Sequence, residues 1–246
     1  MTTPEKLEQI GLNAVDYFLK AWNSRKPKTW ADSLNFPHVR PSPNGPVKVS
    51  KTAEDYISGV DFQKTIDSGW DHSEWDYRSV LHASPRKIHV AGQWSRYNTE
   101  GEVILTTPII YVVTRNGNHW GIQSRFGADY IDEDLDNTEM QSRGFALIQD
   151  FVNQHNLGNQ LACAEMLNYP HFTIGIGELT TTENPDGFQV AEMAINIESL
   201  QVIQSGKHSL NMIIDLTDLK KNRTLQGVLH INDRNKHLGI QAWSFI

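Results

Sequence analysis

The stretch RSVLHASPRKIHVAGQWSRYNTEGEVILTTPIIYVVTRNGNHWGIQSRF, residues 78–126, decides the fold of this 246-residue chain. Runs of β-branched and aromatic residues fill it, and Ser-Pro, Asn-Thr-Glu-Gly and Asn-Gly-Asn interrupt them. Turn-forming residues between such runs indicate consecutive β-strands. We therefore predict strands at 75–83, 87–97, 103–115 and 119–126, paired as an antiparallel meander.

Two motifs of the first half return in the second half. His119-Trp120-Gly121-Ile122-Gln123 is echoed by His237-Leu238-Gly239-Ile240-Gln241, and Asn35-Phe36-Pro37-His38 is echoed by Asn168-Tyr169-Pro170-His171. Both pairs occur in the same order along the chain. This repetition indicates a tandem duplication.

Helical segments open each half. Apolar residues at helical spacing predict helices at 4–23 and 140–156, each followed by a short second helix. The acidic stretch 131–138 is the natural linker. We therefore predict a first domain at 1–130 and a second, shorter and mainly structural domain at 139–246.

The first half is longer between its repeated motifs than the second. We assign the extra residues to a third helix, capped by Ser50 or Thr52 and running to about Ile66, and to the loop at 67–75.

Composition and charge bound the classes of protein. The net charge of -7 and the pI near 5.8 argue against a nucleic-acid partner, because phosphates call for a basic face. Cys163, the single cysteine, cannot form an internal disulfide, which favours a reducing compartment. The charged N-terminal segment is not typical of a signal peptide, and no apolar run reaches the length of a membrane span. The prediction is a cytoplasmic protein that does not associate with membranes.

The order of these elements resembles the nuclear transport factor 2-like superfamily, which includes ketosteroid isomerase, scytalone dehydratase and SnoaL-like proteins. The resemblance rests on the motifs at 21–23, 30–31, 35–38 and 119–123. It implies an α+β class with two tandem cone-shaped domains, each with helices packed on a curved antiparallel sheet around a pocket. It also implies that the two copies form a pseudo-dimer within the chain. Two such chains can then associate as a further homodimer.

The acid–base residues of the best-known members of this superfamily are replaced here. Asn23 stands near the position where scytalone dehydratase carries an acidic residue, and Arg40 is the position nearest to the aspartate base of ketosteroid isomerase. Neither of these two activities is therefore predicted.

The best site candidates are polar or aromatic groups in the first copy, above all those that the second copy lacks. Arg40 corresponds to Thr173, and Arg125 corresponds to Trp243. Histidine exchanges protons near neutral pH, arginine forms bidentate hydrogen bonds with oxyanions, and aromatic rings line pockets for apolar ligands. We predict His72 and His38 as catalytic residues, and as ligand-binding residues Arg40, Trp75, Tyr77, Arg78, Trp94 and Arg125.

Residues that occur at equivalent positions in both copies are more typical of a scaffold or an interface than of a ligand site. This interpretation includes the pairs His38 with His171 and Asn23 with Asn156. Alternation along a strand sorts other residues by face. On the last strand of the first copy, this alternation predicts that Arg125 and Ile122 lie on opposite faces. Arg96 shares a face with Trp94, and we expect it to pair with a glutamate of the nearby turn.

We predict that the first domain binds a small molecule, anionic or apolar and cyclic. If it is an enzyme, the best hypothesis is a cofactor-independent lyase or isomerase, in which histidine moves a proton and Arg40 or Arg78 holds an oxygen. The alternative is a non-catalytic ligand-binding or assembly module. No cofactor or metal is predicted, since neither His72-Ser73-Glu74 nor His82 with His89 has the spacing of a structural zinc site.

Overall fold

The computed structural model describes residues 3–41, 46–130 and 137–246. They divide into two compact units of similar construction. Most of the predicted linker, residues 131–136, lies outside the described residues.

In its described residues, the first unit contains four helices and one six-stranded sheet. Its helices are α1 (Pro4–Asn23), α2 (Pro27–Ala31), α3 (Ala53–Ser58) and α4 (Phe62–Asp67). Its strands are β1 (Leu34–Arg40), β2 (Lys48–Ser50), β3 (His72–Ala83), β4 (Lys87–Tyr97), β5 (Val103–Asn116) and β6 (His119–Gly127). The strands lie in the order β2-β1-β6-β5-β4-β3, and every pairing is antiparallel except that of β1 with β6.

The second unit repeats this plan. Its helices are α5 (Thr138–Asn156) and α6 (Gln160–Glu165), with a 3-10 turn at Pro185–Gly187. Its strands are β7 (Leu167–Ile174), β8 (Leu179–Thr182), β9 (Ile195–Ser205), β10 (Ser209–Asp218), β11 (Arg223–Arg234) and β12 (His237–Phe245). The order β8-β7-β12-β11-β10-β9 matches that of the first sheet strand for strand. The predicted α+β class and tandem duplication are confirmed.

The predicted third helix is wrong in one respect, because the structure divides it into α3 and α4. Thr52 caps α3 with Asp55 in a reciprocal capping box. Gly59 then ends α3, and the side chain of Asp61 accepts a hydrogen bond from the Lys64 backbone N–H to begin α4. A glycine followed by a new capping aspartate therefore breaks one helical run into two.

Helix α1 covers one face of the first sheet, which we call the helix-covered face. Thr3 caps the helix, and its buried stripe includes Val15, Phe18 and Trp22. Gly11 lies where a side chain would collide with the sheet, since an added Cβ would be 2.7 Å from Cγ2 of Ile88. The helix therefore approaches the strands closely at this point.

An asparagine fixes the end of the long helix to the sheet in each unit. Asn23 Nδ2 donates to the Ser73 carbonyl at 2.8 Å, and Asn23 Oδ1 accepts from the Ser73 N–H at 2.9 Å. Asn156 makes the same two bonds to Ile195, at 2.8 and 2.9 Å. The scaffold role predicted for this repeated residue is confirmed by its geometry.

A bulge in the last strand changes which side chains share a face. In β6 the pairing with β5 skips a residue between Ile122 and Ser124, and β12 shows the same irregularity between Ile240 and Ala242. A bulge shifts the alternation by one position. Ile122 and Arg125 therefore both lie on the helix-covered face, and the predicted separation of the two is wrong.

Candidate functional site

The first unit contains a cavity of about 730 Å³ between its helices and the helix-covered face of the sheet. We call it the first cavity. Strands β1, β2, β4 and β6 form its floor, and α3 with α4 forms a wall. Among its described lining residues, basic ones outnumber acidic ones by five to two: Arg40, Lys48, Lys64, Arg96 and Arg125 against Asp55 and Asp61.

Arg125 is the most enclosed of these cations, with a side chain that is 6% exposed. Its Nε donates to Nε2 of His38 at 3.4 Å, and one terminal nitrogen donates to the Tyr56 hydroxyl at 3.1 Å. Its guanidinium carbon lies 4.9 Å from the ring centre of Phe18 and 5.6 Å from that of Trp30. Neutral groups therefore hold this charge in place.

Arg96 is held in a similar way. Its guanidinium carbon lies 5.2 Å from the ring centre of Trp22 and 5.6 Å from that of Trp94. Burial lowers its pKa. We expected this residue to pair with a glutamate of the following turn, and that expectation is wrong.

Arg40, the last residue of β1, completes the group. The residue is exposed to solvent, although many protein atoms lie around its guanidinium group. The positive charge of Arg125, together with burial, lowers the pKa of Arg40 to about 10. The two guanidinium groups therefore repel each other across the cavity.

No carboxylate neutralises these three arginines within the described parts of the chain. None of their nitrogens has an ion-pair partner within 4.0 Å. The two acidic lining residues serve helix caps instead. Asp55 accepts from the backbone N–H groups of Lys51 and Thr52, at 3.1 and 3.2 Å, and Asp61 accepts from that of Lys64 at 3.0 Å.

His38 lines the first cavity as a neutral imidazole. Burial and the adjacent Arg125 charge hold its pKa well below the usual range. Its Nδ1 lies 3.1 Å from the Ile122 carbonyl, which can only accept, so Nδ1 carries the proton and Nε2 accepts from Arg125. His171 makes the equivalent contact to the Ile240 carbonyl at 2.9 Å. The bond to the strand carbonyl is thus common to both units, and the bond to arginine belongs to the first.

Aromatic rings form the inner wall of the first cavity. The ring centres of Trp22 and Trp30 are 4.6 Å apart, and that of Trp30 lies 4.9 Å from that of Tyr56. The indole nitrogens of Trp22 and Trp30 and the Nε of Arg96 are buried, with no hydrogen-bond partner among the described residues. The surroundings are therefore rich in donors and poor in acceptors.

Several predicted site residues lie outside the lining of this cavity. His72 stacks on Tyr97 with ring centres 5.2 Å apart, and its Nδ1 lies 3.0 Å from a carboxylate oxygen of Asp71. Arg78 forms a two-pronged ion pair with Asp16 of α1, at 2.6 and 2.8 Å. Trp75 packs edge-on against Tyr111, and Tyr77 is exposed. Of the predicted set, the structure brings His38, Arg40 and Arg125 together in the lining of the first cavity. Trp94 lines a smaller adjoining pocket, where its ring contacts Arg96.

Sequence reasoning missed Trp22, Trp30, Tyr56 and Arg96. The signal for Arg96 was present, because it shares a face of β4 with Ile88 and Val90, and both of these belong to the core under α1. A charged residue on the apolar face of a strand points into the interior. The other three lie on helices, and nothing in their spacing distinguishes a cavity wall from ordinary core.

Among the described residues, no group of three or more His, Cys, Asp and Glu side chains is placed to hold a metal ion. Within the same residues, no helix is both long and apolar enough to cross a membrane.

Residues 12–128 match the model of a family described as NTF2-like protein (DUF6841). No curated protein matches the chain. Among solved structures, a cystatin-like domain of unknown function from Nostoc punctiforme is 15% identical, covering 61% of this chain and 98% of its own, with a TM-score of 0.42. An NTF-2 like protein of unknown function from Shewanella oneidensis is 14% identical, covering 49% and 98%, with a TM-score of 0.40. A Catenulispora acidiphila protein in complex with S-DNPA is 11% identical, covering 48% and 90%, with a TM-score of 0.39.

Proposed function

We propose, on the premise that residues 12–128 form an NTF2-like domain, that the first cavity binds a small organic anion with an aromatic or cyclic body. The observation that carries this proposal is the convergence of Arg40, Arg96 and Arg125 on one cavity without a carboxylate partner among the described residues. A carboxylate is the anion best matched to guanidinium groups, because its two oxygens accept parallel N–H bonds.

Electrostatics favour an occupied cavity over an empty one. Cation–π contacts hold Arg96 and Arg125 but leave their charges uncompensated, and each contact contributes roughly 0.5–2 kcal/mol. An anion between Arg40 and Arg125 would replace mutual repulsion with two attractive interactions. Each charge-assisted hydrogen bond gained in this way contributes about 1.5–3 kcal/mol.

The walls indicate what the rest of the ligand is like. Trp22, Trp30 and Tyr56 line the same space as the arginines, so an apolar ring can lie against them while its acidic group meets the guanidinium groups. The volume of about 730 Å³ lies within the range of pockets for drug-sized molecules. We therefore infer an aromatic carboxylate as the ligand class.

Within this proposal His38 positions Arg125 and does not act as the proton carrier. Its Nε2 already accepts a hydrogen bond, and burial together with a neighbouring cation disfavours its protonation. The lyase or isomerase activity stays a prediction, and the present proposal keeps His72, not His38, as its acid–base group. The cytoplasmic location, the pairing of the units as a pseudo-dimer, and a further homodimer also stay predictions.

The test is calorimetric titration of the full chain with benzoate and with neutral benzamide. We expect benzoate to bind, and Arg125→Met and Arg40→Met each to weaken it about 10- to 100-fold through loss of a charge-assisted bond. Arg78→Met is the matched control, because this arginine is already paired with Asp16 and should leave binding unchanged.

Equal binding of benzoate by the wild type and the Arg125→Met variant would overturn the proposal. A complete lack of anion binding across a panel of aromatic carboxylates, in a protein that unfolds cooperatively, would favour the alternative of an assembly module.

A further inference from the structure

The second unit, predicted to be mainly structural, also encloses a cavity, of about 330 Å³. We call it the second cavity. It lies between α5 and the covered face of the second sheet, and its wall is mostly apolar, with Ile214, Leu216, Leu229, Phe151, Phe188 and Trp243 among the lining residues. Its chemistry is therefore the opposite of that of the first cavity.

The change of chemistry can be followed residue by residue through the repeat. Trp243 occupies the position of Arg125, and Thr173 occupies that of Arg40. The indole N–H of Trp243 donates to the Thr173 hydroxyl at 2.7 Å, so this pair satisfies itself and carries no charge. Two cations have been replaced by a neutral, internally bonded pair.

Arg223, the charged residue among the described lining residues of the second cavity, has a partner of opposite charge. Arg223 is exposed, and its Nε lies 3.7 Å from a carboxylate oxygen of the fully buried Asp218. His155 also lines the cavity and is buried, and burial lowers its pKa, so the ring is neutral at pH 7. An ionic ligand would find no unpaired opposite charge among these lining residues.

Aromatic rings set the shape of the space. The ring of Trp243 meets that of Phe151 at 65° with centres 5.7 Å apart, and that of Phe188 at 65° with centres 6.5 Å apart. Steeply inclined rings present both edges and faces to the cavity, an arrangement that suits a flat aromatic guest.

We propose that the second cavity is a binding site for a neutral, flat aromatic molecule of two to three rings. The size follows from volume, since an apolar cavity of roughly 150 Å³ holds one benzene ring, and this cavity has about 330 Å³. Binding here does not depend on the anion site of the first unit, and the two proposals fail separately.

The probe is 1-aminoanthracene, a flat, uncharged three-ring dye that fluoresces in apolar surroundings, titrated into the full chain. We expect saturable fluorescence that Ala191→Trp weakens at least 10-fold, because Ala191 is an exposed lining residue at which an indole would occupy the cavity. Leu161→Trp, at a 66% exposed position outside the lining, adds the same ring elsewhere and should bind as the wild type does.

Cooperative thermal unfolding of each variant shows that it is folded. If Ala191→Trp does not fold, Leu225→Trp, at a partly buried lining position, serves as the blocking variant. Unsaturable fluorescence, or equal binding by the blocked variant and the wild type, would overturn the proposal. So would loss of the dye signal in Arg125→Met, since that result would place the dye in the first cavity.

Discussion

Nε of Arg125 donates to Nε2 of His38 across 3.4 Å, and the far side of the same imidazole bonds to the Ile122 carbonyl. The arginine is thereby connected to the backbone of its own strand through a buried, neutral ring. Its guanidinium keeps a fixed direction on the wall of the first cavity without meeting an opposite charge. Fixed direction and uncompensated charge are the two properties that an anion site requires.

His38→Ala should weaken benzoate binding about 10-fold, because Arg125 loses the partner that orients it and binding must then immobilise its side chain. Calorimetric titration measures the loss. His171→Ala removes the equivalent imidazole of the second unit, which bonds to the Ile240 carbonyl but to no arginine in the described residues. Equal weakening by both substitutions would show that the effect is general destabilisation and not positioning.

Arg40→Met should weaken anion binding and yet raise the thermal stability of the unliganded protein. The reason is the repulsion between Arg40 and Arg125, which lowers the pKa of Arg40 to about 10. Because solvent reaches this side chain, the gain in unfolding free energy should be about 1 kcal/mol or less. Differential scanning calorimetry at low salt measures it, and the gain should shrink as salt is added. An unchanged or lowered midpoint would contradict this account.

Asn23→Ala should lower the unfolding free energy by about 2–3 kcal/mol, because it removes two hydrogen bonds to Ser73 and leaves backbone groups unsatisfied. Asn156→Ala should cost a similar amount through Ile195. Urea unfolding measures both. The control is Asn13→Ala, because this exposed residue bonds only to Gln9 in the described contacts. A negligible effect of Asn23→Ala would show that this residue does not fix the end of α1 to the sheet.

Gly11→Ala should destabilise the first unit by about 1–3 kcal/mol through overpacking, although alanine favours a helix by about 1 kcal/mol. The added methyl would lie 2.7 Å from Cγ2 of Ile88. Ile88→Leu removes that branch and should partly restore the Gly11→Ala variant. Gly59→Ala is the control, since its added methyl meets nothing closer than 3.8 Å. Thermal unfolding compares the variants, and a stabilised Gly11→Ala would refute the close approach.

Acid should destabilise the protein in the window between the ordinary and the folded pKa of its buried histidines. Burial lowers the pKa of His171 from 6.5 to about 4, so the unfolded state binds the proton more readily than the folded state. Stability is therefore present above pH 6.5 and is lost as pH falls toward 4. This histidine contributes about 2 kcal/mol of the loss between pH 7 and pH 5.

Urea unfolding at both pH values measures that loss. His171→Asn keeps an N–H donor near the Ile240 carbonyl but cannot titrate, so it should flatten the pH dependence by about that amount. An unchanged slope would contradict the assignment.

The fold could be predicted from sequence because its signals are local or repeated. Turn residues defined the strands from Lys87 to Gly127 almost to the residue, and Thr3 with Pro4 defined the start of α1. The parallel pairing of β1 with β6 was not predicted, because the sequence of a strand does not indicate which distant strand it pairs with. The break between α3 and α4 does have a local signal, because Gly59 ends one helix and Asp61 caps the next.

The site was only half predictable, and the reason is geometric. Comparison of the two copies pointed to Arg40 and Arg125, which share the first cavity. His72 and Arg78 were predicted from their side-chain chemistry, but each interacts with a neighbouring carboxylate outside the first cavity. The bulge beside Ile122 reversed the face assigned to Arg125, and irregularities of this kind depend on hydrogen bonds between strands that a single sequence does not display.

The joining of the two units in one chain has a consequence for dosage. A cell that makes this chain makes one cationic chamber for every apolar one, at any expression level and any dilution. Two separately encoded proteins could reach that ratio only through matched synthesis and turnover. Under the two binding proposals, fusion of the copies couples the capacity for the anionic ligand to the capacity for the neutral one, by covalent connection alone.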